Sequence, residues 1–254
     1  MHAPTPSSAV EIAQENPDAG LVADRFSIWL ASPMARSHFD PARLNARDAR
    51  RSESIRNPVR AEEFTISRSL LQYVAVSAAA SKSLSHSGRY AALALAPAGT
   101  AVGVDIEQHR ARDVLSIARF AFAPEESAAL EGLQEAALER AFYTRWVLKE
   151  ALAKALQLPL LAASRECRFF EEADGWRGSV PDSRSWQVHA YEPFPGMSLA
   201  VAFVGASAPV APQIYEWPPP RLVIWKSIAA AASPAEKPAL LEESSTCRAM
   251  LPTL

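Results

Sequence analysis

The chain has 254 residues, 49% hydrophobic and 21% charged, with a formal net charge of −2, enough apolar material for one large or two small domains with a real core. So even a balance excludes a general attraction to nucleic acid or anionic membrane, and any basic recognition has to be local. Two cysteines, Cys167 and Cys247, stand far apart and outside any C-x-x-C spacing, so neither a disulfide framework nor a zinc site is indicated and a reducing cytosol fits.

Residues 1–20 are rich in Pro, Ser and Ala without a sustained period, and we expect a flexible leader there. It lacks a basic segment followed by an apolar block, and the apolar run YAALALAP is too short to span a bilayer, so neither a signal peptide nor an anchor is expected. The first strand is predicted over residues 25–30. Residues 41–56 read as a helix with Arg43, Arg47, Arg50 and Arg51 along one side. Seven arginines against four acids lie between Arg43 and Arg68; they form either a solvated face or a landing site for phosphates or an acidic protein. A second helix is predicted over residues 62–80, burying Phe64, Leu70, Leu71 and Val74.

The segment SLSHSGR, residues 83–89, reads as a hydroxyl-rich turn feeding an apolar strand over residues 90–96, with Pro97-Ala98-Gly99 turning the chain back. In the following run TAVGVDIEQHR, Val102, Val104 and Ile106 alternate with Gly103, Asp105 and Glu107, the period of a half-buried strand. The two acids then share a face with their stems about 6–7 Å apart, close enough to share a divalent cation, and Gly103 leaves room beside them for a bulky ligand. The alternative is an acidic solvent face. A hairpin of these two strands would put the Ser85-His86 turn at the same edge as Asp105 and Glu107.

Helices are predicted over residues 114–122, 124–138 and 136–158, the last stopped by Pro159. In that last helix Phe142, Trp146, Glu150 and Lys154 recur every four residues and form one row, from aromatic anchors to a carboxylate and an ammonium. The plain reading of Glu150 and Lys154 is a surface pair. Strands follow at residues 168–170, 186–191 and 198–204, with turns at Asp174-Gly175 and Pro195-Gly196. Pro218-Pro219-Pro220, a strand-like stretch over 222–225 and a loosely attached Ala/Ser/Pro-rich tail close the chain. The expected division is a leader over 1–20, an N-terminal half over 21–103, a C-terminal half with the metal site over 104–225, and the tail over 226–254. Common nucleophile-elbow, phosphate-loop, dinucleotide and zinc-protease signatures are absent. Three carboxylates without His or Cys favour Mg²⁺ over zinc.

SLSHSGRY, GVDIE and FYTRWVLKEALAKALQLPL, in this order and spacing, resemble the motif set of the Sfp-type 4′-phosphopantetheinyl transferases: S-H-S, G-[IV]-D-x-E and F-x-x-x-W-x-x-K-E-x-x-x-K. The match runs over about residues 83–160. The resemblance implies an α+β fold of two pseudo-two-fold halves with the active site in the cleft between them. It implies transfer of the phosphopantetheine arm of coenzyme A to a serine of an acyl or peptidyl carrier protein, with release of 3′,5′-ADP. By position, Asp105, Glu107 and Glu150 would hold Mg²⁺, or Mn²⁺. Ser85, His86 and Arg89 would contact the 3′-phosphate side of coenzyme A, with Arg47 a further phosphate or carrier contact. Lys154 would bind the pyrophosphate, and Glu150 would take the serine proton. A cytoplasmic monomer is expected, without nucleic-acid or membrane partners. Two departures stand out: no G-K-P segment precedes the Ser-His stretch, and Glu62-Glu63 stand ahead of Phe64 where many members have arginine. The rival readings are a Mg²⁺-dependent phosphohydrolase using the same carboxylates and a non-catalytic carrier-binding homologue.

Overall fold

A computed structural model describes residues 9–10, 25–74, 80–172, 175–218 and 225–232. The rest of the leader and tail, residues 75–79, Asp174, Pro219, Pro220, residues 222–224 and Cys247 lie outside the described residues. The fold is α+β. Five strands form one sheet in the order β1 (Ala9–Val10), β11 (Trp225–Ala232), β8 (Trp186–Glu192), β9 (Met197–Val204) and β5 (Ala101–Gln108). Four form a second, in the order β10 (Gln213–Trp217), β2 (Ser27–Ala31), β4 (Tyr90–Ala96) and β3 (Ser81–Ser87). A separate hairpin joins β6 (Arg168–Glu172) to β7 (Gly175–Ser179).

Among the described residues two α-helices precede β3. Asn57 caps the longer one, α2 (Pro58–Tyr73), by accepting from the Val59 and Arg60 N–H groups, and Pro58 suits its first turn. The expected arginine helix is shorter than its pattern: Pro41–Arg43 form a single 3₁₀ turn, and α1 (Ala46–Ser54) starts only after the Asn45 cap. Further on, α3 (Val114–Ala121) fits its prediction, whereas the segment from Pro124 splits into α4 (Pro124–Ala128) and α5 (Glu135–Leu156) around Gly132, whose φ of +86° suits glycine. No Gly or Pro interrupts α5, and it ends at Gln157 in the left-handed region, two residues before Pro159. A short helix, α6 (Leu160–Glu166), follows.

The expected hairpin of residues 90–96 with residues 101–108 does not form. Both ladder edges of β4 are taken, by β2 and by β3, so the chain crosses at the Pro97–Thr100 turn and β5 pairs antiparallel with β9, Asp105 opposite Ala200 and Glu107 opposite Ser198. The hydroxyl-rich segment is itself a strand, β3, and only Gly88-Arg89 turn, with Gly88 at φ +61°. Its serines are not turn formers here; they join the edges of the two sheets. Ser83 Oγ accepts from the Val104 N–H at 3.0 Å, Ser85 Oγ donates to Asp105 Oδ1 at 2.8 Å, and Ser87 Oγ donates to Glu107 Oε2 at 2.8 Å while accepting from the Gln108 N–H. Side-chain hydroxyls thus do what a backbone ladder would otherwise do.

The first part of the expected tail is sheet: Trp225–Ala232 lie along β8, and Ala9–Val10 of the expected leader pair with Trp225 and Lys226. Between the sheets lies a core of Ile28, Leu30, Val102, Val104, Ile106, Leu199, Val201 and Phe203. A second core packs Val147, Leu148, Ala151 and Leu152 of α5 on Val188, Ala200, Ala202 and Val204, and full burial of each such large aliphatic contributes about 1.5–3 kcal/mol. These two cores clamp β5 between the sheet interior and α5.

A carboxylate cluster beside an arginine cleft

The site begins at Gly103. A Cβ built there would lie 1.9 Å from the Ala151 carbonyl oxygen and 2.7 Å from the Ala155 nitrogen, so glycine admits the backbone of α5 onto β5. The space expected for a ligand beside Gly103 is filled by that helix. In return α5 delivers Glu150 and Lys154, one turn apart, to the acids of β5. One oxygen each from Asp105, Glu107 and Glu150 lie within 4.8 Å of one another.

Lys154 does not form a simple surface pair with Glu150. Its ammonium donates to Asp105 Oδ1 at 2.8 Å and to the Val104 carbonyl at 2.9 Å. Asp105 is buried, and its Oδ2 has no hydrogen-bond partner among the described residues. A buried carboxylate oxygen in that state is completed by a water or a cation. Burial pushes the Asp105 carboxyl up against the opposing pull of Lys154 and Ser85. Burial raises Glu107 too, countered first by the Ser87 hydroxyl. Glu150 is pushed up to about 7, first by burial and then by the charge of Asp105, with Lys154 opposing and Glu107 adding to the rise. Three crowded carboxylates, one with an orphaned oxygen and none accompanied by His or Cys, suit a hard divalent cation such as Mg²⁺ or Mn²⁺.

Adjacent residues on α5 serve different ends. Lys149 points away from the cluster into the interior, fully buried, and donates to Glu126 Oε2 at 2.7 Å, to the Ser164 carbonyl at 2.7 Å and to the Cys167 carbonyl. Glu126 in turn accepts from the Phe169 and Ala123 N–H groups. This network ties α4, α5 and α6 to β6 and fixes the helix from behind. In front, Phe142 is buried and stacks on Trp146, anchoring the row that ends at Glu150 and Lys154.

Beside the carboxylates opens a cleft of about 880 Å³ whose wall includes Ser87 and Glu107 on one side and Arg51, Arg56, Arg60, Arg68, Arg110 and Arg112 around the rest. His86 and Glu63 also line it, with His86 Nδ1 3.6 Å from Glu63 Oε2. Burial, then Arg51, Arg68 and Lys154, hold His86 below its ordinary pKa, and burial raises Glu63 while Arg110 and Arg60 oppose it. Arg68 also donates to Asp48 Oδ1 at 2.9 Å.

Of the residues singled out from sequence, the structure brings Asp105, Glu107, Glu150 and Lys154 together and puts His86 on the adjoining cleft. Ser85 faces Asp105 rather than the cleft. Arg89 is held by Glu62, through Nε at 3.1 Å and Nη2 at 2.8 Å, and neither it nor the exposed Arg47 is part of the cleft wall. Arg51, Arg56, Arg60 and Arg68 belong to the arginine group read as a possible phosphate landing site, whereas Glu63, Arg110 and Arg112 escaped sequence reasoning as site residues. The run Arg110-Ala-Arg112, directly after the acidic strand, is the signal that could have pointed to two of them.

No helix among the described residues is long and apolar enough to cross a membrane. Residues 101–201 match the family model of the 4′-phosphopantetheinyl transferase superfamily. The match runs from β5 into β9 and so includes Asp105, Glu107, Glu150 and Lys154, while β3 with His86 precedes it. No curated protein matches the chain.

Proposed function

From the match of residues 101–201 to the 4′-phosphopantetheinyl transferase superfamily, we propose that the protein transfers the phosphopantetheine arm of coenzyme A to a serine hydroxyl of an acyl or peptidyl carrier protein. The observation that carries this reading is the convergence of Asp105, Glu107 and Glu150 within 4.8 Å, at the end of a cleft walled by six arginines. Coenzyme A offers an anionic pyrophosphate to a cation held by the former and a phosphorylated nucleotide to the latter. Asp105, Glu107 and Glu150 are the residues that would hold Mg²⁺. A cation held by these residues would supply neutralisation of charge on the pyrophosphate and on the departing nucleotide.

The chain's own residues do the rest. The arginines and His86 bind the nucleotide phosphates through charge-assisted hydrogen bonds, holding the pyrophosphate against the cluster. Lys154, already at Asp105, adds a positive charge where negative charge develops. Glu150, brought to the cluster by α5 one turn before Lys154, is placed to take the proton from the carrier serine. The serine oxygen bonds to the phosphorus of the pantetheine phosphate, the bridging P–O bond breaks, and 3′,5′-ADP leaves with the electron pair. Most of the catalysis is then positioning and charge neutralisation.

The Sfp type is favoured within the superfamily because an arm with the Ser-His strand β3 and helix α2 precedes the matched segment in the same chain and lines the cleft. We also propose a monomer acting in the cytoplasm. The test is mass spectrometry of an apo carrier protein incubated with this protein, coenzyme A and Mg²⁺. The carrier should gain one phosphopantetheine arm and an equal amount of 3′,5′-ADP should appear. An unmodified carrier overturns the reading, and nucleotide release without any carrier would point to a phosphohydrolase instead.

A further inference from the structure

Arginines account for anion binding in the cleft; Glu63 works against it. Of the two acids in the wall, Glu107 belongs to the carboxylate cluster, whereas Glu63 stands on α2 with its side chain 13% exposed. A carboxylate there repels any phosphate that the arginines draw towards it. It becomes useful against a ligand that presents a hydrogen-bond donor beside its phosphate, because a carboxylate only accepts and a guanidinium only donates. His86 Nδ1 lies 3.6 Å from Glu63 Oε2. Both line the cleft, so one ligand meets an imidazole and a carboxylate side by side, as two neighbouring sugar positions, one phosphorylated and one a free hydroxyl, would require.

Building on the coenzyme A reading, we infer that Glu63 is a specificity-determining residue of the cleft: its carboxylate accepts a hydrogen bond from the ribose hydroxyl adjacent to a ribose phosphate held by His86, and repels a phosphate placed at that hydroxyl instead. A site built to hydrogen-bond a hydroxyl penalises ligands lacking it more than an apolar pocket does, since its own polar group is left unpaired. Glu63 thus gives the cleft a means of selecting among nucleotides of equal charge that does not depend on net attraction.

The isomers 3′,5′-ADP and 2′,5′-ADP carry the same groups and differ in which hydroxyl is free. Calorimetric titration of the full chain should show 3′,5′-ADP bound at least about tenfold more tightly, a charge-assisted hydrogen bond and its lost counterpart being of that order. In Glu63→Gln the preference should shrink to about threefold or less, mainly because 2′,5′-ADP binds better, while the thermal midpoint shows the variant folded. Glu63→Ala serves the same comparison should the glutamine variant not fold. Equal affinity for the isomers in the unaltered chain, no binding of either, or an undiminished preference in a folded variant overturns the inference. A chain that discriminates between the isomers but leaves carrier proteins unmodified would instead defeat the transferase reading and leave the role of Glu63 standing.

Discussion

Gly103 and Ala151 are in backbone contact: a Cβ on Gly103 would lie 1.9 Å from the Ala151 carbonyl oxygen. The site depends on that contact, because Glu150 precedes Ala151 and Lys154 follows one turn on. Gly103→Ala should push α5 off β5 and separate Glu150 and Lys154 from Asp105. The expected outcome is a stability loss of about 1–3 kcal/mol, typical of overpacking, with transfer activity reduced at least about a hundredfold. Urea denaturation and the carrier assay measure both; a variant with unaltered activity would show that α5 need not sit this close.

Asp105→Asn keeps the shape of the side chain and removes its charge. Mg²⁺ binding, followed by calorimetry, should vanish and transfer should fall at least about a hundredfold. Stability of the metal-free protein should change by less than about 1 kcal/mol, because the charge removed from a crowded acid cluster offsets the lost pairing with the partly exposed Lys154. Retained Mg²⁺ affinity would remove Asp105 from the proposed metal site.

Glu150 makes metal-free stability depend on pH. Its carboxyl is raised in the folded chain from 4.5 to about 7, so the folded state holds the proton more tightly than the unfolded state. Its contribution is therefore fully present below about pH 4.5 and is lost as pH rises towards 7. Glu150→Gln should remove this dependence, making the chelator-treated variant more stable than the parent above pH 7 by about 1–3 kcal/mol. Thermal melts at pH 5 and pH 8 decide it: a stability difference that does not grow with pH would contradict a raised Glu150.

The Lys149–Glu126 pair is buried on both sides, with side chains 1% and 0% exposed. Lys149→Met strands Glu126 and should cost about 3–5 kcal/mol. Replacing both, Lys149→Met with Glu126→Leu, should recover part of that loss. Chemical denaturation of the single and double variants gives the coupling, and strictly additive losses would mean that the two charges do not support each other.

Arg47 and Arg51 share α1 but not a setting, since Arg51 lines the cleft and Arg47 does not. Arg51→Glu should raise the KM for coenzyme A at least about tenfold. Arg47→Glu should raise the KM for an acidic carrier protein and leave that for coenzyme A nearly unchanged. The carrier effect should fade as salt is added, because screening acts over about 8 Å at physiological ionic strength. If Arg47→Glu alters neither constant at low salt, that part of α1 is a solvated face.

What the sequence determined by itself was local. The alternation around Asp105 and Glu107 and the four-residue spacing of Phe142, Trp146, Glu150 and Lys154 follow from the geometry of a single strand and a single helix, and both are present. The resemblance in three ordered motifs pointed to the superfamily that residues 101–201 match. Tertiary structure decided what each element meets. The serines of residues 83–87 look like turn chemistry in isolation, but as β3 they satisfy the edge of β5. Tyr90–Ala96 and Ala101–Gln108 look like neighbours in a hairpin, yet β4 has both edges occupied and β5 goes to β9. Gly103 reads as room for a ligand and is room for a helix. Lys154 takes Asp105, 49 residues away, over Glu150 one turn before it, and the cleft gathers arginines from α1, α2 and the segment after β5. A side chain's direction is set by the dihedral angles of its own segment, whereas its partner is set by competition for edges and buried volume among segments distant in the chain.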